Sequence, residues 1–382
     1  MKVLHVYKSY LPETYGGLEQ AIFQLCTTTT NMGVENRVLT LSQDGSNQAL
    51  NRPEAIVFPL KRNFEIASCG FSFSALTAFS QFHKWADLIH YHFPWPFADL
   101  LHCLYRIRTP SLTTYHSDIV RQKALAGLYT PLMHRFLGSL HRIIATSPNY
   151  ANTSPILQSY QDKVRIIPLG IDPKTYPAAD PARVEDWRHR IGQDFFLFVG
   201  VLRYYKGLHI LLEALHEAPF KAVIVGAGPI EQELKRKAME KRLDNVFFLG
   251  FQSDQDKMAL YELCRAVVFP SHMRSEAFGI TILEALMAGR PIISSEIGTG
   301  TSFANADGES GFVIEPSNPK ALRRAMEQLF EDPELASKLG RQANQRFKQH
   351  FTTDKMGQKY LEQYQALLKP GLHETRPSTS SA

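Results

Sequence analysis

The sequence predicts an α/β fold of two doubly wound parallel sheets, one per domain, facing each other across a cleft. Three observations predict it. The chain has 382 residues, 44% of them hydrophobic and 21% charged, which is more than one compact core normally holds, so two domains are expected. Short β-branched or aromatic runs, many apolar on both faces, alternate with longer helix-compatible segments, as strands covered by helices on both sides must. The alternation also stops at "IDPKTYPAADPARVED", a Pro- and Ala-rich stretch, and then restarts, the pattern of two strand–helix blocks joined by a hinge.

A Rossmann-like N-terminal domain over residues 1–178 contains strands at "VLHVY" (3–7), "RVLTLS" (37–42), "AIVFPL" (55–60), "LIHYHF" (88–93), "SLTTYH" (111–116), "RIIATS" (142–147) and "VRIIPLG" (164–170). A second Rossmann-like domain over 179–352 contains "DFFLFVGVL" (194–202), "KAVIVGAG" (221–228), "NVFFLGF" (245–251), "AVVFPS" (266–271), "PIISSE" (291–296) and "GFVIEP" (311–316). From "DPELASKLG" onward the chain is helical, with a break at "HFTTD" before a last helix over 353–370. By itself this pattern fits a helix pair closing the second domain. Residues 371–382, "GLHETRPSTSSA", read as a disordered tail.

Composition excludes several classes. A net charge of +5 suits phosphate-bearing partners or an anionic surface and does not call for nucleic acid, for which no recognition motif is present. Cys26, Cys69, Cys103 and Cys264 are far apart, with no CxxC pair, so neither a disulfide framework nor a thiolate zinc site is expected. The opening "MKVLHVYKSYLPETYGG" is too polar for a signal peptide, and no run approaches a membrane span. A cytoplasmic protein is expected.

In doubly wound sheets ligands bind outside the carboxyl ends of the strands, and chemically capable residues cluster there. Gly16 and Gly17 open a helix after the first strand, allowing close backbone approach where a helix N-terminus favours anions. A flexible turn explains the pair equally well. His116 ends the strand "SLTTYH". His90 and His92 alternate onto one strand face without a third ligand at a metal-binding spacing, so they are read as cleft lining, and no metal site is expected. In "VGVLRYYKG", Arg203 can fork onto phosphate oxygens and Lys206 adds a point charge. Gly226, in "VIVGAGP", marks another strand-to-helix turn, without a full dinucleotide fingerprint.

The most informative stretch is "SEAFGITILEALMAG". A helix starting near Gly279 would present its free first-turn N–H groups beside Phe278 and Gly279 as an anion site. Glu276 precedes that site, and Glu284 lies eight positions on, among apolar neighbours. Eight helical residues span about 12 Å, the scale of a nucleotide diphosphate sugar. Two carboxylates each gripping the hydroxyls of one ring fit better than an exposed charged pair, which would not be crowded by "ITILEALMAG".

These residues carry a family resemblance. "SEAFGITILEALMAGRPIISSEIG" resembles the E-x7-E motif of retaining glycosyltransferases of family four, which have the GT-B fold. The N-terminal "GG", then "YHSD", "IIPLGID", "FVGVLRYYKG", "VGAGP", "FLG" and "ESGFVIEP", follow in the family's order, so the match covers nearly the whole chain. The resemblance implies that Arg203 and Lys206 neutralise the departing diphosphate. Glu276 would hold the donor sugar, with the backbone of Phe278, Gly279 and Ile280 beside sugar and phosphate, and Glu284 would take the ribose hydroxyls. His116 would sit near the transferred sugar, while Gly16, Gly17 and Gly226 complete the donor-binding set. The family's last helix commonly crosses back onto the first domain, which is expected for 353–370. Neither metal nor other cofactor is expected, because cationic side chains and a helix N-terminus stabilise the leaving group.

The resemblance extends to bacterial polysaccharide mannosyltransferases of O-antigen assembly. It implies a GDP-mannose donor, a growing glycan on undecaprenyl diphosphate as acceptor, and a place on the inner face of the cytoplasmic membrane. In residues 102–142, Arg106, Arg108, Arg121, Lys123, Arg135 and Arg142 stand among Leu, Tyr, Phe and Met with only Asp118 opposing. This suits anionic headgroups; a helix packed by its apolar face on the sheet explains it about as well. A nucleotide-sugar 2-epimerase and a non-catalytic two-domain sugar-binding protein are the rival readings. Product analysis separates the first, and absence of nucleotide release with any donor would favour the second.

Overall fold

A computed structural model describes residues 1–45, 48–66, 69–119 and 123–369, with the side chains of 123–126 and 128 left out. The tail read as disordered, 371–382, lies outside the described residues. The chain divides into two compact units. The first comprises Met1–Ala145, Ser159–Ile167 and the residues from Asp354; the second comprises Thr146–Gln158 and Pro168–Thr353.

The described strands of the first unit are β1 (Lys2–Val6), β2 (Glu35–Ser42), β3 (Leu50–Asn51), β4 (Ile56–Lys61), β5 (Phe64–Ile66), β6 (Cys69–Phe71), β7 (Leu88–Phe93), β8 (Ser111–Tyr115), β9 (Arg142–Ala145) and β10 (Val164–Ile166). Eight of them form one sheet in the order β10-β9-β8-β7-β1-β2-β4-β3. It is parallel except where β3 meets β4. The hairpin β5–β6 stands apart as its own small sheet. Buried on both faces, β7 and β8 read as unbroken buried strands, which is why their sequences show no alternation. One side of the core joins Val3, Leu25, Leu88, Leu112 and Ile144 to Met356, Tyr360, Tyr364 and Leu367 of the Thr353–Leu368 helix. That helix lies so close to the Gly17–Asn31 helix that a Cβ at Gly357 would meet Thr28 Cγ2 at 2.5 Å.

The second unit holds β11 (Phe196–Val199), β12 (Ala222–Val225), β13 (Val246–Gly250), β14 (Ala266–Phe269), β15 (Ile292–Ser295) and β16 (Gly311–Ile314). Their order is β13-β12-β11-β14-β15-β16, and every pairing is parallel. Phe196, Phe198, Ile224, Val268 and Ile293 pack there with Leu211, Leu322 and Met326 from the flanking helices. Strand order reverses between β11 and β14 in this sheet, and between β1 and β7 in the first. The chain separates on either side of such a reversal and leaves a crevice at the strand tips.

Residues 146–158, read from sequence as part of the first domain, are held in the second unit. Ser147 caps the Pro148–Thr153 helix by accepting from Tyr150 N at 3.1 Å, with Pro148 at its first position. Asn149 Nδ2 then donates to Ser302 Oγ at 3.0 Å. Arg274 Nη1 donates to Thr153 Oγ1 at 3.0 Å and to Gly298 O at 2.9 Å. The Asn149–Ser302 and Arg274–Thr153 partners are more than a hundred positions apart in sequence, beyond any local pattern.

Candidate functional site

In the second unit the candidate residues gather at the reversal between β11 and β14. After β11 the chain passes Gly200 and an exposed Arg203, makes a short 3-10 turn over Tyr204–Lys206, and reaches Gly207 at φ +74°. A Cβ at Gly207 would stand 2.0 Å from Pro270 O. Only glycine lets the loop after β11 lie this close to the loop after β14. Gly207→Ala should therefore destabilise the second unit by roughly 2 kcal/mol or more, read as a lowered Tm; an unchanged Tm would contradict this packing. Gly226, at φ +131°, is pressed in the same way, since its Cβ would meet Gly200 O at 2.0 Å. That contact alone accounts for glycine at 226.

This close approach brings Lys206 and Glu276 together. Both are buried, at 9% and 8% exposure, and Lys206 Nζ donates to Glu276 Oε2. Ser271 Oγ donates to the same oxygen at 3.3 Å, and the ammonium lies 4.8 Å from the centre of the Phe269 ring. Burial pulls the Lys206 pKa down, but the Glu276 carboxylate outweighs it and the net shift is upward. The ammonium therefore stays charged in a nearly dry setting.

The Ile280–Met287 helix begins four residues after Glu276, with Gly279 (φ +88°, ψ +90°) as its N-cap and no side-chain cap. A Cβ at Gly279 would meet Phe269 Cζ at 2.7 Å. The sequence predicts eight helical residues between Glu276 and Glu284. The structure corrects this: 276–279 is a bent loop, because Gly279 adopts a conformation that ends the helix there. Phe278 is buried, and its ring is so near Gly300 that a Cβ there would lie 2.4 Å from Phe278 Cδ2. Ile280 is half-buried at the helix start.

Glu284 is buried and faces the Asp254–Leu263 helix, where Tyr261 OH donates to its Oε2 at 2.9 Å and Lys257 Nζ lies 3.6 Å from Oε1. Burial and then the carboxylate push the Tyr261 hydroxyl pKa well up, so it remains a donor. Sequence reasoning missed Ser271, Lys257 and Tyr261. The available signal was Lys257 and Tyr261 at i and i+4, on one helix face.

In the first unit, Gly16 is the N-cap of the Gly17–Asn31 helix, again with no side-chain cap. The Glu19 carboxylate folds back beside it, 2.5 Å from where a Cβ at 16 would stand, and accepts from Ser9 Oγ at 2.7 Å and Thr14 Oγ1 at 3.0 Å. A negative group of the protein's own thus occupies the surroundings in which the sequence reading placed a phosphate.

His116 follows β8, is 7% exposed, and donates its backbone N–H to Phe93 O at 3.0 Å. His90 and His92 do not line a cleft: both are buried on β7, and His5, which the register sets beside His90, joins them from β1. This corrects the reading that they lack a third partner, since one nitrogen of each ring lies within 4.8 Å of the others. Strand pairing supplied His5, and no sequence spacing could have. His5 bonds His92 Nε2 at 3.1 Å and Asn36 Oδ1 at 3.2 Å; His92 Nδ1 bonds His116 Nε2 at 3.1 Å; and His90 bonds Tyr364 OH and Thr114 Oγ1, each at 2.7 Å. Both nitrogens of each of the three rings are thus accounted for by hydrogen bonds, and the rings of His90 and His92 stack with centroids 4.3 Å apart. Such an arrangement does not converge lone pairs on a shared ion.

The basic segment at 102–142 is not one amphipathic surface helix. The core strand β8 runs through it, and Met133, Phe136 and Leu137 of the Lys123–Ser139 helix are buried. Exposed cations remain at Arg106, Arg108 and Arg135, with an exposed Leu104 close to the first two in sequence. Arg121 and the Lys123 side chain lie outside what is described. Among the described residues no helix is long and apolar enough to cross a membrane.

Comparison with known proteins adds to this geometry. Residues 182–346 match the family profile described as glycosyl transferases group 1, and residues 15–175 match that described as Glycosyltransferase Family 4. The chain is 52% identical over 352 residues to D-rhamnosyltransferase WbpZ of Pseudomonas aeruginosa, covering 92% of each. It is 48% identical over 369 residues to O-antigen chain mannosyltransferase C of Escherichia coli, covering 97% of this chain and 99% of the relative. Among solved structures, Anabaena HepE in complex with UDP-glucose superposes with a TM-score of 0.77 at 21% identity, over 96% of this chain and 100% of that one.

Proposed function

This chain belongs to glycosyltransferase family 4, with the GT-B fold, and from that premise we propose that it transfers mannose from GDP-mannose, with retention, to a growing lipid-linked O-antigen glycan. The observation that carries the assignment of the site is the buried Lys206–Glu276 pair at the open start of the Ile280–Met287 helix. A donor diphosphate entering there meets Lys206, Arg203 and uncapped backbone N–H groups, and its charge competes with Glu276 for the ammonium. Glu276, released in part, accepts hydroxyl protons of the sugar, while Glu284, oriented by Tyr261 and Lys257, accepts those of the ribose.

As the glycosidic bond breaks, negative charge grows on the leaving diphosphate. Lys206 and Arg203 oppose it without a metal, so these interactions strengthen toward the transition state. The departing phosphate oxygen takes the acceptor hydroxyl's proton on the same face, which preserves anomeric configuration.

The relative named a mannosyltransferase supports mannose, and the one named a D-rhamnosyltransferase supports the second reading, D-rhamnose, which is mannose without its 6-hydroxyl. Turnover of GDP-mannose, GDP-D-rhamnose and UDP-glucose on a polyprenyl-diphosphate glycan tests both. Preference for GDP-mannose with an α-linked product is expected; GDP-D-rhamnose outrunning it would select the second reading. Release of free sugar or C2 inversion without acceptor would instead favour an epimerase.

Membrane contact through the exposed cations is part of the same proposal. Reversing Arg106, Arg108 and Arg135 to Glu should abolish sedimentation with vesicles rich in phosphatidylglycerol while leaving Tm unchanged. Undiminished binding would remove this segment as the contact.

A further inference from the structure

The buried histidines of the first unit form a directional chain whose proton positions can be worked out from one end. Asn36 Nδ2 faces Cys26 O at 3.1 Å, Thr29 Oγ1 at 2.9 Å and Thr30 Oγ1 at 2.8 Å. Both hydroxyls donate elsewhere, Thr29 to Leu25 O and Thr30 to Glu54 O, each at 2.8 Å. All three neighbours are therefore acceptors toward Asn36, and the amide is fixed with its NH2 on their side and Oδ1 toward His5.

Oδ1 can only accept, so His5 Nε2, 3.2 Å away, carries the proton and His5 Nδ1 is bare. His5 Nδ1 then accepts from His92 Nε2–H at 3.1 Å, leaving His92 Nδ1 bare. His92 Nδ1 in turn accepts from His116 Nε2–H at 3.1 Å. Each ring must be neutral for this polarity to hold, and burial holds the pKa of all three far below the ordinary histidine value, to about 4 for His5 and about 3 for His116. The chain ends on an amide oxygen, which does not take up a proton in this pH range. It therefore orients His116 and does not conduct protons away from it.

We propose that Asn36, His5 and His92 are positioning residues that hold His116 as the Nε2–H tautomer, with Nδ1 its hydrogen-bond acceptor for a hydroxyl of the transferred sugar. The last clause rests on the proposed glycosyl transfer and on the place near the transferred sugar that the family resemblance implies for His116; the tautomer rests on the hydrogen bonds alone. Fixing the tautomer makes the acceptor permanent, so no fraction of the protein presents an N–H where a hydroxyl must donate.

Long-range 1H–15N correlation of the full chain with 15N-labelled histidine reads the tautomer directly. His116 assigned as Nε2–H at pH 7.5 is expected; an Nδ1–H or averaged pattern overturns the proposal. His5→Phe removes the acceptor for His92, and should shift the His116 signals toward mixed tautomers and lower kcat roughly 10- to 100-fold with little change in donor KM. His5→Gln, which can still donate to Asn36 and accept from His92, should restore much of both. Unmoved His116 signals in folded His5→Phe overturn the proposal; should that variant not fold, the wild-type spectrum and His5→Gln decide it. Full activity in His116→Ala with the wild-type tautomer intact would remove His116 from the transfer reaction and leave the hydrogen-bond chain standing.

Discussion

Lys206→Met should lower transfer by roughly 100- to 1,000-fold, on the scale of losing a main electrostatic stabiliser of the transition state, and should also destabilise the second unit by roughly 3–5 kcal/mol. Two separate physical causes are involved. Catalysis suffers because the ammonium faces the charge that develops on the diphosphate. Stability suffers because Glu276, 8% exposed, is left as a buried carboxylate with, among the described residues, only the Ser271 hydroxyl to meet it. Glu276→Gln should destabilise for the converse reason, leaving Lys206 charged and unpaired.

The double variant Lys206→Met with Glu276→Gln distinguishes the causes. It removes both charges, so stability should return to within about 1 kcal/mol of the parent, while transfer stays lost. Urea denaturation measures the first, and release of nucleotide diphosphate the second. A double variant as unstable as the singles would mean that the pair is held by something other than mutual charge. Arg203→Ala, exposed and outside the pair, should lower kcat with little effect on stability.

The second large effect is on acid stability. His5, His90, His92 and His116 are all buried and held neutral, with pKa values pulled below the ordinary 6.5 by burial. In the unfolded chain the same groups take up protons near pH 6.5. As pH falls below that value the unfolded state binds protons that the folded state refuses, so stability is lost. The loss continues down to the folded-state value, about 4 for His5 and about 3 for His116. Each such histidine contributes up to about 1.4 kcal/mol per pH unit in this window.

The first unit should therefore be fully stable above pH 6.5 and lose several kcal/mol by pH 5. Urea titrations at pH 7.5, 6.0 and 5.0, followed with a probe in that unit, measure it. A profile flat from 7.5 to 5.0 would show that the histidines already take up protons in the folded state. Replacing His5 with Gln removes one titrating group and should make the profile shallower.

The architecture was largely legible in the sequence. Runs such as "AVVF" are apolar on both faces, and the thirteen runs read as strands coincide with or overlap strands β1, β2, β4, β7–β10 and β11–β16. The short β3, β5 and β6 were not seen, because two or three residues give no periodicity to read. Among the candidate residues, Arg203, Lys206, Glu276 and the glycines could be picked out as residue types at strand tips, since local chemistry marks them. Glu284 could be picked out as an acid among apolar neighbours.

Local sequence determined which segments become strands, where glycine must stand, and which side chains could meet a phosphate or a sugar hydroxyl. Tertiary structure alone decided that Lys206 and Glu276 pair across seventy positions, that Glu284 meets Tyr261, and that His5 from β1 joins His92 and His116. It also decided that residues 146–158 pack in the second unit. The division has one physical reason. Secondary structure follows from periodicity within a few residues, whereas each of these contacts is set by which strands lie side by side and how closely their loops approach, and a linear pattern contains no record of either.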